Sequence, residues 1–290
     1  MYGKKAIYFN YKTYGGFVVF MLIPALLILA GLSMAAFLFV AWQPALIGIC
    51  AGILLAFPGY PRLLAINANN DLKSDKYKKA LKKTRRAVRL PFAPISVKAF
   101  NSYVLLLNGM IKEADDELKK IKDREKSYSE KAKCDAIKAL LIWVETGKAD
   151  EALSYLTGEG INDADEAISY VKGKLMNTMD DKAAARKHNE TAYEMYGGNR
   201  DILSNLIISY CRTGQTRDAK LLFRTLYHDL GTTVDALYYM AKVKEAESKY
   251  KDGAEFVDAA LEIENSPIDL STKDELVSYK SKLEAMADEI

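Results

Sequence analysis

Residues able to do acid–base, nucleophilic or metal chemistry are scarce in this chain, and their spacing brings none of them together. There are two histidines and three cysteines in 290 residues. His188 falls on a helix-packing face, where a half-buried structural role is expected. His228 follows Leu226-Tyr227 near a helix end and reads as surface. Metal sites need paired cysteines or histidines at short spacings, and phosphate cradles need a glycine-rich loop; neither pattern occurs. The acidic pairs Asp115-Asp116 and Asp180-Asp181 occupy consecutive positions, which on a helix do not face each other. They read as solvated helix surface. Cys50, Cys134 and Cys211 lie in separate segments, which indicates no disulfide framework and fits a reducing compartment. No catalytic residue, metal ligand or cofactor is expected, and the chain reads as a non-enzyme.

The elements that would position any site begin with an uncharged stretch. Gly15 to Pro61 gives 47 consecutive residues without Asp, Glu, Lys or Arg. A soluble domain carries about one charge in four residues. Phe17 to Val40 supplies 24 residues, and a helix crossing the hydrocarbon core needs roughly 20. Ala41-Trp42-Gln43-Pro44 reads as a turn with an interfacial ring. The second run, Ala45 to Phe57, has only 13 residues. It spans if the helix continues into Leu63-Leu64-Ala65-Ile66 with Arg62 snorkelling, or it dips into one leaflet. Basic residues on both flanks, Lys4, Lys5 and Lys12 before it and a dense run after it, place both termini on the cytoplasmic side. The expectation is a basic N-terminal segment at 1–14 and a transmembrane helical hairpin at 15–66. The localisation expected from it is integral membrane, suiting a bacterial inner membrane.

The basic run follows the hairpin directly. Lys76, Lys79, Lys82, Lys83, Arg85, Arg86 and Arg89 surround an apolar stripe of Tyr77, Ala80, Leu81, Thr84 and Val88. Residues 62–90 carry +8, and residues 91–290 carry −8. A basic cluster just inside a span attracts anionic lipid head groups at about 1 kcal/mol per residue. Docking of an acidic partner uses the same charges. Nucleic acid is not expected, because only Tyr77 is available for base stacking.

Beyond the hairpin the chain repeats. Small residues recur at Ala80, Ala114, Ala152, Ala184, Ala219 and Gly253, at intervals of 34, 38, 32, 35 and 34. Four places after each come Thr84, Leu118, Leu156, His188, Phe223 and Val257, on the same helix face. Gly109, Gly147 and Gly214 each sit five places before a repeat alanine, where one helix should stop and the chain turn back. The unit is helix, short turn, helix, which predicts an all-α solenoid.

These units resemble a tetratricopeptide repeat array. The clearest is ILSNLIISYCRTGQTRDAKLLFRTLY, from Ile202 to Tyr227. KYKKALKKTRRAVRLPFAP and KYKDGAEFVDAALEIENSP match second helices ending at a proline-bearing turn. The interval from Ala114 to Ala152, His188 at a packing position and Glu159 in a small-residue place depart from the pattern. The expected fold class is therefore all-α, with the hairpin followed by five to six repeats at 67–265 and a C-terminal capping helix at 266–290. The resemblance implies binding along a concave surface made by first helices. Mapped onto this sequence, that surface presents Tyr103, Leu106, Ile137, Leu141, Val144, Ser204, Ile208, Tyr238 and Lys242, with Ser96, Ala99, Cys134, Asp201 and Asp235 beside them. It implies proteins or peptide segments as partners, an apolar or amphipathic stretch above all. The functional expectation is a membrane-anchored scaffold or adaptor. The alternative is an accessory subunit of a larger membrane complex, in which Gly48, Ala51 and Gly52 let the hairpin pack against other spans.

Overall fold

An alanine repeated along one helix face needs a second helix close enough to cover it. The computed structural model describes residues 26–34, 59–121, 127–157 and 165–289. In it the repeat unfolds into antiparallel helix pairs. They are α1 (Tyr60–Leu72) with α2 (Tyr77–Val88), α3 (Ile95–Leu107) with α4 (Ile111–Lys119), and α5 (Tyr128–Thr146) with α6 (Ala149–Leu156). Next come α7 (Glu166–Met176) with α8 (Lys182–Tyr196), α9 (Arg200–Arg212) with α10 (Thr216–Thr225), and α11 (Val234–Ala246) with α12 (Tyr250–Glu262). A π-helical turn, Leu226–Leu230, extends α10, and α13 (Lys273–Asp288) closes the stack. This is the all-α repeat array that the spacing predicts.

The repeat residues form the seams. Ala80, Ala114, Ala152 and Ala219 have 0% exposure, and Thr84, Leu118, Leu156, Phe223 and Val257 are buried beside them. In five of the six pairs the turn between the helices uses a left-handed residue. Gly109, Gly147 and Gly214 supply it at φ 74°, 70° and 78°. Asp75 and Ser248 occupy the same turn position in the first and last pairs at φ 53° and 58°. Helix starts are capped locally. Ser127 with Glu130 and Thr272 with Glu275 form capping boxes on α5 and α13, and Asn199 and Thr233 accept from the first turns of α9 and α11.

One register differs from the sequence reading. In α8 the buried small residue is Ala185, with Asn189 four places on, while Ala184 and His188 are only half-buried. Asn189 is a polar packing residue, and its amide donates to Ser209 Oγ at 2.8 Å. Ser209 donates to Asn177 Oδ1 at 2.7 Å, Asn177 to the Asn205 carbonyl at 2.9 Å, and Asn205 to the Tyr170 carbonyl at 3.0 Å. This amide ladder replaces apolar contact between α7, α8 and α9. It hides the repeat from a hydrophobic pattern. Gly173 lies at its centre, where a Cβ would come within 2.0 Å of Asn189 Oδ1.

The membrane assignment is overturned. Among the described residues no helix is long and apolar enough to cross a membrane. Of the first apolar run, residues 26–34 are described and helical. Residues 60–66, offered as the end of a second span, belong to α1. There Pro61, Ala65, Ala68, Asn69 and Leu72 are buried, and the helix packs on α2. The remainder of the hairpin and the segment 1–14 lie outside the described residues. The described helices thus contradict an integral-membrane protein with both termini cytoplasmic, and anionic lipid has no support as the partner of the basic run.

Candidate functional site

A helix that stacks on its neighbours on both sides is buried nearly all round, and α7 is such a helix. Its residues Ala167 to Leu175 are all buried, Lys172 and Lys174 among them. A buried ammonium requires a partner. Lys174 Nζ meets Asp235 Oδ2, from α11, at 2.5 Å, with the two side chains 6% and 4% exposed. Burial works against the Lys174 charge and is the largest single influence, but Asp235, Asp269 and the hydrogen bond to Asp235 together outweigh it and leave the pKa raised. The ammonium stays charged.

A second pair stands nearby. Arg200, at the start of α9, contacts Asp75 of the α1–α2 turn at 3.3 Å and Asp201 at 3.3 Å. Asp75 is pushed up by its burial, against the pull of Arg200. Asp269, from the α12–α13 connection, is pushed up to about 7 by burial and by the charge of Asp235. Its carboxylate accepts from the Ser266 N–H at 2.6 Å. The phenols of Tyr103 and Tyr170 are held neutral by burial.

These groups line one cleft of about 320 Å³ on the inner face of the stack. Walls come from the first helices α3, α7, α9 and α11, and the rim from Asn70, Lys73 and Ser74 of the α1–α2 corner. Ile268 and Asp269 complete the lining. Its pairs Lys174–Asp235 and Arg200–Asp75 join residues far apart in sequence. The cleft is a product of curvature: the stack curls until its last connection touches its first pair, where Glu264 accepts from the Tyr77 N–H at 2.9 Å. Chemically it offers carboxylates that accept main-chain N–H groups, two buried cations and an apolar floor.

The residues expected on the concave surface divide. Tyr103 and Ser204 line the cleft, with Ser204 Oγ 2.6 Å from Thr233 Oγ1. Leu106, Ile137, Leu141 and Ile208 are at most 1% exposed. They pack between repeats instead of facing a ligand, because successive first helices stack on one another. Val144 is half-buried. Tyr238 is half-buried edge-on to Tyr279 of α13, with the exposed Lys242 ammonium 4.3 Å from its ring. In the basic run Lys83 pairs with Asp71 at 2.6 Å and Arg85 with Glu113 at 2.5 Å. Lys76, Lys79, Lys82, Arg86 and Arg89 are exposed. His188 Nε2 lies 2.9 Å from the Ser169 carbonyl, and His228 is exposed in the π-helical turn.

Tyr170, Lys174 and Arg200 escaped sequence reasoning. A lysine among Ile168, Val171 and Leu175 was the available signal. So was the connection 263–272, far longer than the three-residue turns 108–110 and 247–249.

No family model and no curated protein matches the chain. A solved structure does. A tetratricopeptide repeat protein from Parabacteroides merdae ATCC 43184 superposes with a TM-score of 0.52 at 11% identity, covering 90% of this chain and 99% of that one. The fold is that of a tetratricopeptide repeat array. At that identity the likeness speaks for the fold alone, and the use of the inner cleft of the array rests on its own geometry.

Proposed function

We propose that this repeat array is a protein-interaction scaffold that holds a segment of a partner protein in its inner cleft, acting by binding and not by catalysis. The cleft itself carries the reading. First helices from four repeats converge on it, and its walls mix buried charge with apolar side chains. Five of the charged groups there are held in ion pairs, Lys174 with Asp235 and Arg200 with Asp75 and Asp201, while Asp269 stands outside them with its carboxyl raised to about 7. The paired charges serve to shape and polarise a binding surface. Arrays of this fold use their concave side for peptides and partner helices, which supports the same assignment.

The test uses the rim, where substitution leaves the core intact. Asn70 and Ser74 are exposed. A partner is captured with the full chain, purified and titrated against wild type, Asn70→Arg and Ser74→Arg. The reading requires a saturable interaction weakened at least tenfold, about 1.4 kcal/mol, by either substitution. Unchanged affinity in both variants would sink it.

A further inference from the structure

Helices that pack side by side need few residues between them. α12 and α13 pack against each other, yet ten residues, 263–272, join them. The surplus is used at the other end of the molecule. Glu264 accepts from the Tyr77 N–H at 2.9 Å and lies 3.5 Å from Lys78 Nζ. A Cβ at Gly109 would sit 3.8 Å from Pro267. Ile268, 2% exposed, joins the apolar cluster built mainly by α1 to α7 and not the one built by α9 to α13, which includes its neighbours α12 and α13. Leu270 donates its N–H to Asp235 Oδ1 at 2.7 Å. Internally the segment is a turn, closed by Asp269 N–H to the Ser266 carbonyl at 3.0 Å.

This is how a bound peptide is held: an apolar anchor in a pocket, a main-chain N–H on a fixed carboxylate, and a charge at the rim. We infer that segment 263–271 is an internal ligand of the cleft, and that the partner carries a turn of the same chemistry which replaces it. That chemistry is an apolar residue with a free main-chain N–H two places on, as in Ile268 and Leu270, preceded by a carboxylate, as in Glu264. The inference rests on the scaffold reading and adds two things to it: the kind of segment recognised, and a self-occluded resting state. Its strength as an inhibitor is set by how often the segment opens, since a partner binds only the open fraction.

The probe is a fluorescent synthetic peptide of residues 263–272, followed by anisotropy against the full chain. Ile268→Asp removes the anchor, and Glu264→Lys, at a half-exposed position, removes the rim contact. Either unlatched variant should bind the peptide at least tenfold more tightly than wild type does, and a peptide carrying Ile268→Asp should not bind. Equal affinity of wild type and a folded Glu264→Lys overturns the inference. Hydrogen exchange on the wild type decides it without a variant. The Tyr77 and Leu270 amides should exchange faster than the amides of α12, and exchange of both only with global unfolding overturns it. Competition between a captured partner and the peptide supports the inference. A partner that binds the cleft without competing overturns it and leaves the scaffold reading standing. Absence of any partner defeats the scaffold reading, while the peptide titration still decides the segment.

Discussion

Lys174 and Asp235 bind each other almost wholly out of water, and removing one strands the other. Asp235→Ala leaves a buried ammonium and an unaccepted Leu270 N–H. A loss of about 3–5 kcal/mol is expected in a urea or guanidinium titration. The double variant Lys174→Met with Asp235→Leu should recover most of that loss, because an apolar pair has no charge to strand. Asp269 gives the pH dependence. Facing it are Asp235, Lys174, Asp201 and the Ser266 N–H. Its carboxyl is raised from 3.8 to about 7 in the folded chain. The stability that goes with its protonation is therefore complete below the unfolded value and lost as pH rises through about 7. Wild type should lose stability between about pH 4 and pH 7, and Asp269→Asn, which cannot ionise, should lose less. Parallel curves for the two proteins would contradict the assignment.

At the scale of elements, the turn position of each pair and the close contact of α7 with α8 carry opposite lessons about glycine. Ser248 adopts φ 58° without being glycine. Ser248→Gly should raise stability by up to about 1 kcal/mol, the strain relieved exceeding the entropy added to the unfolded chain. Gly173 has an ordinary helical φ, and alanine there would gain helix propensity. The 2.0 Å approach to Asn189 decides against it. Gly173→Ala should cost about 2 kcal/mol or more, because the amide ladder must shift to admit the methyl group. Thermal denaturation of both variants checks the two signs together. The glycines were legible in the sequence because a helix stop is local. The ladder was not, because Asn189, Asn177 and Asn205 reveal their pairing only when three helices meet.

Across the whole molecule, the repeat array does not behave as an open stack in which each unit meets only its neighbours. Glu264 on Tyr77 and Ile268 in the N-terminal apolar cluster join its two ends. Ile268→Ser should therefore raise amide exchange in α1 and α2 as well as in α13. An open solenoid would confine the effect to α12 and α13.

The sequence by itself determined the parts that depend on near neighbours. Helical period, the alanine seams at Ala80, Ala114, Ala152 and Ala219, and the left-handed glycines at Gly109, Gly147 and Gly214 follow from contacts within a pair. Hydropathy also suggested a membrane protein, and there it misled: apolar residues 63–66 read the same in lipid or against a partner helix, and α1 lies against α2. Tertiary structure alone decided the cleft. Lys174 and Asp235 are 61 residues apart, Arg200 and Asp75 are 125, and Tyr77 and Glu264 are 187. Small rotations from one repeat to the next, summed along the stack, bring them together, and no local pattern in the chain encodes that sum.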